Sequence, residues 1–221
     1  MNEIPRQLPL ALGFNERFGR EDFLAGPSNA AALALIERWP DWPAPAVALV
    51  GPEGSGKSHL AAIWAKAAGA RAIAGHAIAP AGVPTALATG ALVIEDLHAD
   101  ACEDAALFHL LNLAREQGAF VLITAVSAPS GWPIHLRDLA SRLRALPVVT
   151  LAPPDDALLR AVLVKLFADR QLAVDEGLIG YLTTRIERSF AAARAIVADL
   201  DREALRQKRA VNRALAAELL R

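Results

Sequence analysis

Residues 51–58 read GPEGSGKS: Gly51, Pro52, Glu53, Gly54, Ser55, Gly56, Lys57 and Ser58. The string fits G-x-x-x-x-G-K-[ST], a loop that cradles phosphate when it joins a strand to a helix. Both neighbours are present. The apolar run AVALVG (46–51) leads into the loop at strand length, and residues 57–69 leave it with helical periodicity. The glycines allow the backbone to curl so that its N–H groups face phosphate oxygens, and the helix adds its positive N-terminal end. Lys57 is expected to reach the β and γ phosphates and the Ser58 hydroxyl to ligate Mg²⁺. His59, the next residue, is grouped with the same site. The ligand expected is a purine nucleotide, ADP or ATP.

Outward from the loop, apolar strands alternate with helices. ARAIAG (70–75), ALVIED (91–96), AFVLITA (119–125) and residues 146–151 read as four further strands; residues 104–117 read as a helix stopped by Gly118. Such alternation implies a five-stranded parallel sheet covered by helices on both faces. Upstream, Ser28 is a candidate N-cap for a helix through Ile36, and the proline-rich WPDWPAPA (39–46) is a connection. After Pro153 the chain turns helical: residues 155–169, 175–185 and 189–208, with a short final helix. The expected organisation is a leader over 1–17, an α/β nucleotide-binding domain over 18–152, and a small α-helical lid over 153–221.

A nucleotide hydrolase of this design needs acids at the end of a neighbouring strand. Glu95 and Asp96 end the run ALVI and supply them, Glu95 as candidate magnesium ligand and Asp96 as the base that activates water. A Glu in the first place is one methylene longer than the usual Asp, so slow intrinsic hydrolysis is expected. Thr124 ends the next strand, where its hydroxyl would position water or cap the strand. Arg142, before the fifth strand, is either an arginine finger for a neighbour's γ-phosphate or a surface salt-bridge residue, with Arg137 and Arg144 as competitors. Arg188 opens the long lid helix, where it would fold back on the nucleotide or remain solvated.

The bulk numbers exclude several classes. At 221 residues, 54% hydrophobic and 21% charged, the chain is globular. No apolar stretch reaches the roughly 18 residues that span a membrane, and the N-terminus lacks the layout of a signal peptide. Cys102 is the sole cysteine, so a cytoplasmic protein without disulfides is expected. A net charge of −1 gives no global sign of nucleic-acid binding. Residues 185–221 hold nine Lys or Arg against five Asp or Glu, a basic face for DNA or an acidic partner, or an ordinary solvated one.

Together, EDFLAGPSNAAALALIERW, GPEGSGKSHLAA, VIEDLH, LITA, DLASRL and ERSFAAA resemble the AAA+ core of DnaA-type replication initiators over about residues 18–205. The resemblance implies an AAA+ P-loop NTPase fold and an adenine pocket lined by Phe23, Leu24 and Asn29. It implies an arginine finger at Arg142, a lid sensor arginine at Arg188 and a first sensor at Thr124. The initiator's DNA-reading and N-terminal interaction domains have no counterpart in these residues, so sequence-specific DNA binding is not expected. The short form is similar to the family's regulatory members, which inactivate DnaA from a tether on the DNA polymerase III sliding clamp (its β subunit). QLPLAL (7–12) is similar to the docking motif: Gln7 hydrogen-bonds at a pocket mouth while Leu8, Leu10 and Leu12, spaced around Pro9, bury apolar area. The alternative for these residues is packing on their own domain. A homodimer is a further candidate assembly, and a helicase loader or other assembly ATPase is the alternative function.

Overall fold

The computed structural model describes residues 18–220; the candidate clamp motif at Gln7–Leu12 lies outside them. Five parallel strands form one sheet in the order β2-β3-β4-β1-β5: β1 (Ala46–Val50), β2 (Arg71–Ala74), β3 (Ala91–Glu95), β4 (Phe120–Ala125) and β5 (Val148–Thr150). Helices α1 (Ala30–Glu37), α2 (Lys57–Ala68), α3 (Val83–Ala86), α4 (Asp104–Gln117) and α5 (Arg137–Ala145) cover the sheet. Side chains alternate across it with period two. Val47, Leu49, Val93 and Leu122 pack with α1 and α2. Ala48, Val50, Leu92, Ile94 and Ile123 pack on the opposite side with residues of α3, α4 and α5. Both faces are therefore dry, which is why the central strands read as unbroken apolar runs.

Because β4 lies between β1 and β3, the carboxyl ends of these three strands sit side by side. Leu49 of β1 pairs with Thr124, and Ile94 pairs with Ile123. The phosphate-loop motif, Thr124 and the acid pair thus share one edge of the sheet, the crevice where open α/β sheets bind ligands.

Helices α6 (Asp156–Asp169), α7 (Glu176–Thr183), α8 (Phe190–Gln207) and α9 (Arg213–Leu219) follow. They enclose a separate cluster that includes Leu163, Phe167, Leu182, Val197, Leu200 and Leu215. Each begins at a capping side chain: Asp155 accepts from Leu158 N–H, Asp175 from Leu178 N–H, Ser189 from Ala192 N–H and Asn212 from Leu215 N–H. Each such cap stabilises its helix by about 1 kcal/mol. Helix α2 has no side-chain cap; its leading N–H groups belong to the phosphate loop.

Two expectations about helix starts change. The cap residue of α1 is Asn29, not Ser28. The Asn29 amide turns back on the preceding loop, accepting from Gly26 N–H at 2.8 Å and donating to Leu24 O at 3.0 Å. Arg188 does not open α8: Ser189 caps it, and Arg188 pairs outside the helix with Asp156 at 2.8 Å. In the proline-rich connection, Trp42 is buried, stacks on Trp64 of α2 and donates to Leu35 O at 2.8 Å. No helix of the described residues is long and apolar enough to cross a membrane.

Candidate functional site

The loop between β1 and α2 has the backbone its sequence requires. Gly54 and Gly56 have φ of 70° and 100°, a left-handed region that an L side chain rarely adopts. A Cβ on Gly54 would also lie 2.9 Å from the Cβ atoms of Ser189 and Ala191. The start of α8 therefore lies directly on the loop, and Phe190 N–H donates to Gly54 O at 2.8 Å. Within the loop Ser55 is 1% exposed and its hydroxyl has no hydrogen-bond partner among the described residues. Pro52 and Glu53 are exposed at the rim.

Lys57 is 5% exposed. Its ammonium donates to Gly51 O at 2.8 Å and Pro52 O at 2.9 Å. Burial pushes its pKa below the ordinary value of 10.5, opposed by the negative charges of Asp96, Glu53 and Glu95. An ammonium has three N–H donors, and two are used by loop carbonyls. A buried cation with donor capacity to spare, a helix start and a glycine-curled backbone together fit a polyphosphate. Next to it, Ser58 Oγ donates to Glu95 Oε2 at 3.0 Å. This hydroxyl and carboxylate form a hard-oxygen pair of the kind that holds Mg²⁺ together with phosphate oxygens and water.

Asp96 leaves β3 with φ of 50°, a conformation that Asp tolerates better than most residues. Thr124 holds it there. This fully buried residue accepts Asp96 N–H on its hydroxyl at 2.9 Å, and its carbonyl accepts Leu97 N–H at 2.9 Å. Thr124 therefore braces the turn that carries the acid pair.

Beside the loop lies a cavity of about 380 Å³, within the range of small-molecule sites. Its walls come from the N-terminal segment (Phe18, Phe23, Leu24), the loop–helix junction (Gly56, His59) and helices α6 and α8 (Val162, Lys165, Phe190, Arg194). The aromatic rings of Phe18 and Phe23 each meet His59 edge to face at 5.2 Å. The Nε2–H of His59 donates to Gly19 O at 2.9 Å. The cavity thus sets aromatic and aliphatic side chains, which can stack on a base, beside charged and polar ones that include Asp22, Asp169, Arg170 and Gln171.

Burial pushes the His59 pKa below its ordinary 6.5; Arg194 and Lys165 push the same way, against Gly19 O and Asp22. A folded-state pKa lower than the unfolded one means the unfolded chain takes up the proton first. Stability is therefore lost as pH falls through 6.5. The melting temperature of the ligand-free protein is expected to fall between about pH 7.5 and 5.5, and His59→Gln to flatten that slope. Equal slopes in parent and variant would remove His59 as the cause.

The remaining expected site residues divide. Phe23 and Leu24 line the cavity, whereas Asn29 does not: it is 1% exposed and shapes the loop that presents Leu24. Arg188 is not on the cavity wall; the arginines there are Arg170, at the end of α6, and Arg194, one turn inside α8 and on the same face as Phe190. The i, i+4 spacing of Phe190 and Arg194 after a Ser cap is the signal in the sequence that singles them out. Arg142 lies on α5, outside the cavity, with its guanidinium 5.2 Å from the centre of the Phe108 ring on α4. Arg137 and Arg144 are more exposed on the same helix. In the basic helical tail, Arg202, Arg206 and Arg209 pair with Asp199, Glu203 and Glu218, the pattern of a solvated face.

No family model and no curated protein matches the chain. Solved structures do. Domain III of the Thermotoga maritima replication initiation protein DnaA aligns over 93% of this chain and 96% of its own, at 19% identity and a TM-score of 0.73. AMPPCP-bound DnaA from Aquifex aeolicus aligns over 83% of this chain and 64% of its own, at 17% identity and a TM-score of 0.66. The Thermotoga maritima RuvB Holliday junction branch migration motor aligns over 91% and 70%, at 18% identity and a TM-score of 0.71. The fold is that of the AAA+ P-loop NTPases, a parallel five-stranded sheet with flanking helices followed by a helical bundle.

Proposed function

We propose that this chain is a nucleotide-switched regulator of replication initiation, resembling the DnaA regulatory inactivator Hda. In this reading ADP or ATP lies with its base in the cavity by Phe23, Leu24 and His59 and its phosphates on residues 51–58. Mg²⁺ is held by Ser58 and Glu95; when bound it neutralises phosphate charge. Thr124 keeps Asp96 in place as the base that orients water, and the chain's own hydrolysis is slow. Bound nucleotide sets the conformation of the module, which offers Arg142 to ATP held by DnaA. The resulting hydrolysis leaves the initiator in its ADP form and prevents reinitiation. The residues Gln7, Leu8, Pro9, Leu10 and Leu12 tether the module to the sliding clamp.

The observation that carries this reading is the placement of Arg142. The chain's own site is bounded by the loop, the N-terminal segment, α6 and α8, whereas Arg142 sits on α5 against Phe108 and does not line it. A guanidinium stationed away from its own nucleotide suits action on a neighbour's.

Pull-down with purified sliding clamp and with replicative helicase tests the partner. The full chain is expected to retain the clamp, and a chain lacking residues 1–12 to lose it. Retention of helicase instead, unaffected by the deletion, would point to a helicase loader.

A further inference from the structure

Asp22 and Lys165 are 143 residues apart in sequence and meet at the rim of the cavity. Asp22 ends a short 3₁₀ turn, Arg20–Asp22, whose leading residue Gly19 is held to α2 by His59. Lys165 lies on α6. Its ammonium reaches Asp22 Oδ1 at 2.8 Å, with the two side chains only 24% and 18% exposed. The same ammonium reaches Asp169 Oδ2 at 2.7 Å, one turn along its own helix. Lys165 is therefore oriented from within α6 and extended across the cavity to the opposite wall. The hydrogen bond from Lys165 holds the Asp22 carboxyl below the usual carboxylate range. A partly buried pair is screened somewhat less than a fully exposed one. At the phosphate end, the backbone bond from Phe190 to Gly54 makes the second tie.

We propose that the Asp22–Lys165 ion pair is the latch of the nucleotide site, holding α6 against the N-terminal turn so that a bound nucleoside diphosphate or triphosphate leaves only after the pair separates. The latch rests on the reading above that the cavity takes the base. It makes lid opening, rather than the phosphate contacts, the step that sets how long a nucleotide stays. It also assigns the switch a physical element: two walls of one cavity, joined by a charged contact that either wall can release.

The test is a stopped-flow chase. The full chain is loaded with N-methylanthraniloyl-ADP and Mg²⁺ and mixed with excess ADP. Asp22→Asn and Lys165→Met are each expected to speed release about tenfold. The double variant is expected to release no faster than either single one, because the second change removes a contact already broken. Arg202→Met, which breaks the exposed pair with Asp199 on the same bundle, is expected to release at the parental rate. The two latch substitutions lie on different elements, so either one that folds decides the point. Parental release from the latch variants, or a double variant whose acceleration is the product of the two, overturns the latch. Absence of Lys57-dependent nucleotide binding by the parent would instead overturn the nucleotide reading, and the latch with it.

Discussion

Arg142→Ala is expected to lower the stimulated, single-turnover hydrolysis of DnaA-bound ATP by at least about 10³-fold, since an arginine finger supplied in trans contributes about 10³–10⁵ in related phosphate chemistry. The assay contains the DNA-loaded clamp and this chain with nucleotide bound. The substitution is clean because α5 does not depend on the guanidinium for its place. Leu139 and Leu143 anchor the helix, at 0% and 1% exposure. Asp104 fixes its approach, accepting the N–H groups of His135 and Leu136 at 2.8 and 3.0 Å. What alanine removes is the contact with the Phe108 ring, worth about 0.5–1 kcal/mol, so the fold survives. Arg142→Lys keeps the charge but lacks the planar fork that pairs with phosphate oxygens, and it is expected to restore little activity. Stimulation by the alanine variant equal to the parent's would reject Arg142 as the finger.

Lys57→Ala is expected to weaken ATP and ADP binding by about 10²-fold or more, because charge-assisted hydrogen bonds to phosphate are worth about 1.5–3 kcal/mol each. The same change is expected to leave the ligand-free melting temperature nearly unaltered. In the folded chain Lys57 is a buried cation held by the carbonyls of Gly51 and Pro52, and its burial costs free energy, as its lowered pKa records. Removing it ends that cost, which offsets the release of one buried acceptor, Gly51 O, and one at the edge of the loop, Pro52 O. The contrast is read by thermal melts with and without nucleotide. At about 100 times its dissociation constant, ATP should stabilise the parent by about 2.7 kcal/mol and the variant hardly at all. A variant that melts early without ligand, yet is stabilised like the parent, would make Lys57 a structural residue.

Local rules carried far along this chain. The motif GPEGSGKS, with an apolar run before it and helical spacing after it, identified the strand, loop and helix, because the glycines and lysine act on the backbone next to them. Gly118 stops α4 in the left-handed conformation, with φ of 67°. Ser189 and Asp155 cap the helices they precede. The same kind of rule failed at Ser28, where Asn29 takes the cap position and its amide instead ties Gly26 and Leu24 together. Arg188 likewise does not open α8: Ser189 caps the helix, and Arg188 pairs with Asp156 just outside it.

The sequence by itself determined the phosphate loop, the alternation of strands and helices, the acids at the end of β3 and the separate helical bundle. Each depends on residues within a turn or two of one another, so spacing suffices to read it. Only the tertiary structure decided the rest: that Thr124 accepts the N–H of Asp96, that Arg194 rather than Arg188 lines the cavity, and that Lys165 reaches Asp22. These contacts join residues whose separation in the chain carries no information about their distance in space. They exist because β4 is inserted between β1 and β3, and because α6 and α8 fold back over the loop that opens α2.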